Sequence, residues 1–146
     1  MNKYQELFTA IATFFTAGFS VFQYRETKKK EKMADFRCEI NISSINKGYF
    51  SAHIHFKNVG KSDAKNVRIE MLPTEDEIEK EEFLKLVDKC KWGSYKFYKL
   101  INSGSEKVEE MNGLHISKVP KTLTFKITWD DDYENNRSKE SQEDLY

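Results

Sequence analysis

His53 and His55 are the first residues of this sequence whose type and spacing could do chemistry. They lie two positions apart in an alternating segment, so both imidazoles would project from one face of a strand. Such a pair could ligate a metal ion, but no third ligand is evident. A polar, solvent-facing strand surface is the alternative interpretation, and we therefore predict no metal site.

The acidic segment after Trp129 is a second candidate, because its oxygen-bearing side chains alternate as in a calcium loop. These residues are Asp130, Asp132, Glu134 and Asn136. The EF-hand pattern also requires glycine at the sixth position and glutamate at the twelfth, where this chain has Asn135 and Ser141. The segment is therefore predicted to be an acidic turn between two strands.

The cysteines and potential nucleophiles do not form a catalytic pattern. Cys38 and Cys90 occur in no CxxC or Cys/His cluster, and Cys38 is in phase with Phe36 and Ile40, as a core residue would be. The sequence contains no nucleophile elbow, no Ser-His-Asp order and no glycine-rich phosphate loop. We predict a non-enzymatic protein without a cofactor.

An aromatic and basic patch between residues 91 and 99 is the remaining candidate site. Strand alternation would bury Tyr95 and Phe97 and leave Lys96 and Tyr98 outside. Most of the patch is then core, and the residues that could form a ligand surface are Trp92, Lys96 and Tyr98.

These candidate residues follow an apolar segment that would position the whole chain. From Leu7 to Tyr24 there are eighteen uncharged residues, near the lower limit of roughly 17–25 for a membrane-spanning helix. Tyr4 and Tyr24 bracket it, as is typical of membrane–water interfaces. The residues predicted to contact lipid are Leu7, Phe8, Ile11, Phe14, Phe15, Phe19 and Phe22.

A basic cluster follows the apolar segment and predicts its orientation. It comprises Arg25, Lys28, Lys29, Lys30 and Lys32, which could also contact anionic lipid headgroups. Positive charge after the span predicts an outside N-terminus and a cytoplasmic C-terminal domain at the cell membrane. A cleaved signal peptide would place its charge before the apolar run, and a surface helix would need a charged face.

The predicted span has two unlike faces. Its hydroxyl residues share one stripe, and phenylalanines form another. Small and hydroxylated residues favour helix–helix contact in lipid, so the first stripe could mediate self-association. Its members are Thr9, Thr13, Thr16 and Ser20. Alternatively, these hydroxyls bond only to carbonyls of their own helix.

The charge of the remaining chain argues against nucleic acid as a partner. Residues 33–146 hold 18 basic and 21 acidic side chains, so they lack the basic surface that a nucleic-acid binder requires. We divide the chain into an anchor at 1–24, a helical or flexible basic stalk at 25–34, and one domain at 35–146.

Alternating apolar residues predict strands through most of this domain. The segments 36–42 and 49–58 form a predicted hairpin around Asn46-Lys47-Gly48, and residues 121–129 give the clearest strand. Further strands are predicted near 64–72, 95–101 and 108–111, with Asn112-Gly113 as a tight turn. Residues 137–145 form a final edge strand or fray.

Residues 58–67 carry a motif, NVGKSDAKNV, that resembles the signature of bacterial and archaeal immunoglobulin-like domains of the CARDB type. The matching residues are Asn58, Gly60, Ala64, Asn66 and Val67. Gly60 is expected to take a positive φ at the corner, and Ala64 to fit under the loop. The resemblance implies a mainly β fold, an immunoglobulin-like antiparallel β-sandwich.

A helix at about 75–90 departs from the plain immunoglobulin-like pattern. Thr74 and Glu77 suggest a capping box, and the apolar stripe of Phe83, Leu86, Val87 and Cys90 would pack on the sheet. Lys85 and Lys89 would complement the C-terminal dipole, and the acidic run at 75–82 is predicted to face solvent. The helix is either a crossover or an insertion.

Three functional hypotheses follow. The first is a membrane-anchored binding module whose cytoplasmic domain recognises a protein or small ligand. The second is an oligomeric membrane effector gated by that domain, a layout similar to that of small bacterial defence and phage-encoded proteins. The third is an extracytoplasmic spacer or adhesion-type domain.

Overall fold

The protein begins with one long helix and continues into a mainly β domain. The computed structural model describes residues 2–73 and 77–145, and the predicted N-cap Thr74 lies outside them. The helix α1 spans Lys3–Glu31. The strands are β1 (Phe36–Asn46), β2 (Tyr49–Asn58), β3 (Ala64–Leu72), β4 (Lys96–Ile101), β5 (Glu106–His115), β6 (Thr122–Asp130) and β7 (Arg137–Asp144); a second helix, α2, spans Glu77–Lys89, and a 3-10 turn spans Ile116–Lys118.

The strands form two antiparallel sheets. One has the order β1-β2-β5, and the other has the order β4-β3-β6-β7. The β1–β2 hairpin closes at Lys47 (φ 51°) and Gly48 (φ 79°), which is the pair of positive angles that a two-residue type I′ turn requires. The predicted hairpin is thus confirmed.

The inner faces of the two sheets share one core. Phe36 of β1 packs edge-on against Trp129 of β6, with ring centroids 5.1 Å apart. Phe56 of β2 packs similarly against Phe125 of β6 at 5.3 Å. The predicted inward residues of β6 are all buried, because strict alternation places every second side chain on one face.

Side chains also connect the sheets at both edges. Lys139 of β7 donates to the carbonyl of Phe36 at 2.8 Å and pairs with Asp35 at 2.9 Å. At the opposite edge, Glu109 of β5 pairs with Lys96 of β4 at 3.4 Å. The relative position of the two sheets is therefore held by polar contacts outside the core as well as by apolar packing.

The helix α2 is an insertion rather than a crossover. It connects β3 and β4, which are antiparallel neighbours in the same sheet. Phe83 and Leu86 are buried in the core, and Val87 and Cys90 pack against it, as the apolar stripe predicted.

Asn112-Gly113 is not the predicted tight turn, because both residues lie inside β5. Here the register against β2 shifts by one residue: Phe50 pairs with Leu114, whereas Ala52 pairs with Met111. Gly113 has φ 63°, so the dipeptide forms a β-bulge that uses the same backbone freedom as a turn. The strand therefore continues to His115, beyond the predicted end at residue 111.

Candidate functional site

The surface of α1 is apolar over a length that can cross a membrane. The helix contains 29 residues, none of them buried, and its most apolar window has a mean hydropathy of 1.3. At about 1.5 Å per residue it reaches roughly 40 Å, more than the hydrocarbon core of a bilayer. The predicted lipid-facing side chains are all exposed on it.

The hydroxyl stripe of α1 bonds to its own helix. Thr9, Thr13, Thr16 and Ser20 each donate to the carbonyl four residues earlier, at 2.8 to 2.9 Å. This is the back-bonding alternative that the sequence offered. The hydroxyl protons are therefore already donated within α1 and are not available to a second helix. The side chains are small, however, so they leave a shallow face on which another helix could pack.

The segment after α1 is attached to the domain rather than being a flexible stalk. The helix continues to Glu31, and Met33 accepts hydrogen bonds from the backbone of Lys61 and Ser62 at 3.1 and 3.3 Å. Lys29 lies over the ring of Tyr133 at 5.2 Å. Of the basic cluster, Arg25, Lys28, Lys30 and Lys32 remain exposed.

Asp131 is the centre of this junction. Its carboxylate accepts from the amides of Ala34, Tyr133 and Glu134 at 2.9 to 3.0 Å and from the Trp129 indole at 3.2 Å, and it pairs with Arg137 at 2.7 Å. Burial alone would raise its pKa, but these hydrogen bonds together hold the pKa below its ordinary value.

Asn58 has an equivalent role on the other side of the junction. Its amide group donates to the carbonyls of Ser62 and Ile101, and its side-chain oxygen accepts from the amides of Asp35 and Gly60. The residue is fully buried, so these four bonds satisfy its polar atoms where water cannot.

Gly60 is required for close packing and not for the predicted positive φ. A Cβ at this position would lie 2.4 Å from the amide nitrogen of Asp35 and 2.6 Å from the carbonyl carbon of Ala34. In this motif the positive φ belongs to Asn66 instead, at 50°. Ala64 is fully buried, as expected.

The residues predicted as a ligand surface do lie together. The polar groups of Lys96 and Tyr98 are paired, whereas the buried indole N–H of Trp92 has no hydrogen-bond partner among the residues that the structure describes. Trp92 is only 3% exposed, and Lys96 lies over its ring at 5.4 Å. Lys96 and Tyr98 both contact the carboxylate of Glu109. Burial, followed by the hydrogen bond to Glu109, raises the pKa of the Tyr98 hydroxyl.

The predicted alternation of β4 was wrong by one residue. Tyr95 and Phe97 are 44% and 53% exposed, and Tyr98 packs against the core instead. The shift follows from pairing, because Phe97 stands opposite Arg68 on the outer face of β3. Arg68 lies over the Tyr95 ring at 4.5 Å and covers part of this aromatic surface.

The two segments considered for metal binding, the His53/His55 pair and the acidic segment 130–136, do not form a metal site among the described residues. His53 and His55 share the outer face of β2, as predicted, and pair with Glu110 and Glu106 at 3.5 and 3.3 Å. In the acidic segment, Asp130 accepts from Asn66, which together with the Asn136 amide lowers its pKa. Within the described ranges, no group of three or more His, Cys, Asp or Glu side chains is placed to hold a metal ion.

A cationic pocket lies at the far end of the domain from α1, where sequence reasoning placed no site. The residues lining it include Lys85 and Lys89 of α2, Lys118 of the 3-10 turn, and His115. The cavity volume is about 460 Å³, within the range of roughly 300–1,000 Å³ that is typical of small-molecule sites. Among its described lining residues none is acidic.

The pocket also has an aromatic and apolar side. Tyr49 packs edge-on against His115 at 4.7 Å, and the buried side chains of Leu86, Leu114 and Val119 complete the lining. The amide of Ser117 donates to Nδ1 of His115 at 3.3 Å, so a neutral ring carries its proton on Nε2. Charged and apolar walls therefore meet in one cavity.

The chain matches one family model over residues 5–145, that of DUF8453, a domain of unknown function. The protein belongs to this family. No curated protein and no solved structure matches the chain. The DUF8453 match begins within α1 and ends after β7, so the helix and the two sheets are parts of one family unit.

The sequence analysis did not identify the cationic pocket, because the residues that line it come from separate elements. The sequence analysis assigned Lys85 and Lys89 to the helix dipole and gave His115 no role. The i, i+4 spacing of the two lysines did place them on one helix face. Only the packing of α2 against the β1–β2 hairpin and the end of β5 brings them beside Tyr49 and His115.

Proposed function

We propose that this protein is a non-enzymatic, membrane-anchored binding module, with α1 in the bilayer and a small-ligand site in the β domain. The observation that carries this proposal is the cationic pocket at the end of the domain opposite the helix. The β2 strand runs from Tyr49 at the pocket to Asn58 at the junction, a distance of about 30 Å. A ligand would therefore approach the pocket from solution, away from the membrane surface.

The proposed architecture of the domain is an immunoglobulin-like β-sandwich. The sheet orders β1-β2-β5 and β4-β3-β6-β7 support it, because they separate the first, second and fifth strands from the third, sixth and seventh. The shared core and the contacts at both edges are those of two sheets packed face to face. Such sandwiches serve many functions, so the proposed role is argued from the pocket and not from the fold.

The proposed location is the cell membrane, with a single span, the N-terminus outside and the β domain in the cytoplasm. The support is the basic cluster that follows the span, since cytoplasmic flanks carry an excess of Lys and Arg. The bilayer is then the first partner, and the basic side chains would contact its anionic headgroups.

Orientation can be tested by labelling one introduced cysteine from each side of the membrane. Burial raises the pKa of Cys38 to about 12, and it also raises that of Cys90, so both native thiols react slowly. A Ser138→Cys variant places a thiol on an exposed position of β7. Labelling of intact cells by an impermeant maleimide would contradict the cytoplasmic location and favour an extracytoplasmic spacer or adhesion-type domain.

The binding function can be tested by identifying small molecules that leave the cell with the protein. The full chain would be purified in detergent and denatured, and the released molecules would be measured by mass spectrometry. We expect a compound with the wild type that is depleted at least about tenfold in a Lys85→Glu/Lys118→Glu variant. The matched control is Lys99→Glu, an exposed lysine on β4. Equal recovery from all three proteins would contradict the proposal.

We propose an oligomeric membrane effector, as in antiphage defence, as the second candidate function. The attachment of α1 through Asp131 and Asn58 favours it, because movement of the domain would be passed to the helix without a flexible stalk. Self-association would use the face of Thr9, Thr13, Thr16 and Ser20.

The oligomer can be tested by light scattering of the full chain in detergent. A variant with those four residues changed to leucine should become monomeric while the domain still binds its ligand. A monomeric wild type would exclude this second function and leave α1 as a plain anchor.

A further inference from the structure

We propose that the cationic pocket binds an organic phosphate, a small molecule in which a phosphate group is attached to an apolar or aromatic body. This inference rests on the proposed binding function and names the chemistry of its ligand. It is drawn from the two unlike walls of the cavity and from the position of the cavity in the chain.

The charged wall is suited to a phosphate. Lys85 and Lys89 lie one helical turn apart on α2, and Lys118 reaches the same cavity from the 3-10 turn. Lys85 also pairs with Glu81 at 2.6 Å on the exposed side of the helix, and Lys89 donates to the carbonyl of Gly113. The second contact keeps the Lys89 stem at the mouth of the cavity, so its ammonium group is positioned before a ligand arrives.

His115 lines the cavity beside these lysines. The bond from Ser117 occupies its Nδ1, which leaves N–H on Nε2 in the neutral ring. Gly48 permits the ring to lie close to the hairpin, because a Cβ there would be 2.8 Å from Nε2. The ammonium groups supply the N–H donors for the oxygens of a phosphate, and the imidazole forms part of the lining beside them.

The opposite wall would hold the rest of the ligand. Leu86, Leu114 and Val119 are each less than 5% exposed and form the floor of this wall, so the apolar surface that a ligand could cover belongs mainly to Tyr49. Tyr49 is 53% exposed and forms an aromatic wall beside His115. An inorganic phosphate would leave this surface in contact with water, whereas a ring or chain attached to the phosphate would cover it.

The position of the pocket favours a soluble source of phosphate. A lipid headgroup of the membrane that holds α1 would lie near Lys29 and Ala34, at the opposite ends of the strands. The β2 strand alone separates the two ends by about 30 Å. A soluble compound is therefore the ligand that we propose, because it can reach the pocket whatever the tilt of the domain against the bilayer.

The test uses 1-naphthyl phosphate and inorganic phosphate as probes, titrated by calorimetry into the full chain in a neutral detergent. We expect saturable binding of 1-naphthyl phosphate and binding of inorganic phosphate at least about tenfold weaker, because the latter covers no apolar surface. Raising the salt concentration should weaken both. Absence of saturable binding by 1-naphthyl phosphate would overturn the ligand class.

Two variants distinguish the contribution of the charged wall to binding from that of the apolar wall. Lys118→Met keeps an apolar side chain and removes one charge, so it should weaken both probes about tenfold. Tyr49→Ala should weaken 1-naphthyl phosphate and leave inorganic phosphate unchanged. Lys99→Met is the matched control, expected to bind both probes as the wild type does. Equal binding by the wild type and Lys118→Met would overturn the assignment.

Failure of this ligand class is distinguishable from failure of the binding function. If 1-naphthyl phosphate does not bind but a molecule is still recovered with the wild type and lost with Lys85→Glu/Lys118→Glu, the pocket is a site for another chemistry. If neither probe nor any recovered molecule depends on the pocket lysines, both proposals are wrong.

Discussion

At the scale of single residues, the domain depends on a few buried polar groups that hold the helix to the sheets. Asp131 accepts hydrogen bonds or an ion pair from five groups, and four bonds satisfy the side chain of Asn58. Removing one partner leaves the others buried without a bond, which costs more than the bond itself contributes. These residues are therefore better targets for mutation than the exposed charges around them.

Asp131→Asn should lower the free energy of unfolding by about 3 kcal/mol, because the Arg137 guanidinium loses its counter-charge and the bonds weaken. Urea unfolding monitored by the fluorescence of Trp92 and Trp129, which are both buried, would measure the change. Asp132→Asn is the matched control; it removes an exposed pair with Lys65, and its amide oxygen can still accept the hydrogen bond from the Ser62 hydroxyl, so it should cost less than about 0.5 kcal/mol. Equal losses in the two variants would contradict the role given to Asp131.

The lowered pKa of Asp131 predicts that the free energy of unfolding depends on pH. Its folded pKa is lowered, so the stabilisation it provides is complete above the unfolded pKa of about 4 and is lost as the pH falls through the folded value. The difference in unfolding free energy between wild type and Asp131→Asn should be constant near neutral pH and shrink below about pH 4. A difference that grows on acidification would have the wrong sign.

Gly60→Ala tests the close packing at the junction. The new methyl group would overlap backbone atoms of Ala34 and Asp35, which cannot move without breaking their own bonds. We expect a loss of about 3 kcal/mol in unfolding free energy, measured as above. Gly18→Ala is the control, since a Cβ there meets nothing within 4 Å. An unchanged free energy of unfolding in Gly60→Ala would show that the backbone at the junction can move to accommodate the methyl group.

At the scale of elements, α1 and the β domain meet without a linker. The helix ends at Glu31, and Met33 to Asp35 already bond to the loops after β2 and β6. A helix extended into a bonded junction turns as one piece with the domain, whereas a flexible segment would leave their orientations independent. In the proposed effector function, this junction would transmit any movement of the domain to α1.

Limited trypsin digestion can test this connection. Cleavage after Lys28, Lys29, Lys30 or Lys32 requires the helix end to open, so it should be slow in the wild type. In Asp131→Asn, which loosens the attachment, the rate should rise about tenfold, measured by the mass of the released domain. The Asp132→Asn variant should be cleaved at the wild-type rate. Rapid cleavage of the wild type would indicate a flexible stalk.

At the scale of the whole molecule, the β domain carries its own core and α1 contributes nothing to it. No residue of α1 is buried, whereas Ala34 and Phe36 are. The buried part of the chain therefore begins at Ala34, and we expect the boundary of the folded unit between Glu31 and Ala34.

Truncation tests this boundary. A chain of residues 33–146 should be soluble and monomeric and should unfold within about 1 kcal/mol of the full chain, because the bonds of Ala34 and Asp35 are kept. A chain of residues 36–146 loses the bond from Ala34 to Asp131 and that from Arg137 to Ala34, and should be less stable by about 2 kcal/mol. Circular dichroism during thermal unfolding would compare them, and equal stabilities would contradict this boundary.

The sequence by itself determined the elements with a strong local period. Strict alternation identified the buried faces of β2 and β6, uncharged length identified α1, and the spacing of Phe83 and Leu86 identified the inner face of α2. These predictions were right because burial of a regular strand or helix follows its own period whatever the partner is. The β4 prediction failed because aromatic residues occur on both of its faces, so only pairing with β3 decides which face is buried.

Tertiary structure alone decided the rest. Asn112-Gly113 became a bulge because β2 continues beside β5 where a turn was expected, and the sequence of β5 does not contain that information. In the sequence, nothing distinguishes Asp131 from the neighbouring acidic residues. Only the folded chain places the amide of Ala34 and the guanidinium of Arg137 in contact with its carboxylate. The pocket lysines, His115 and Tyr49 belong to separate elements, and a site made of distant segments exists only after those elements pack.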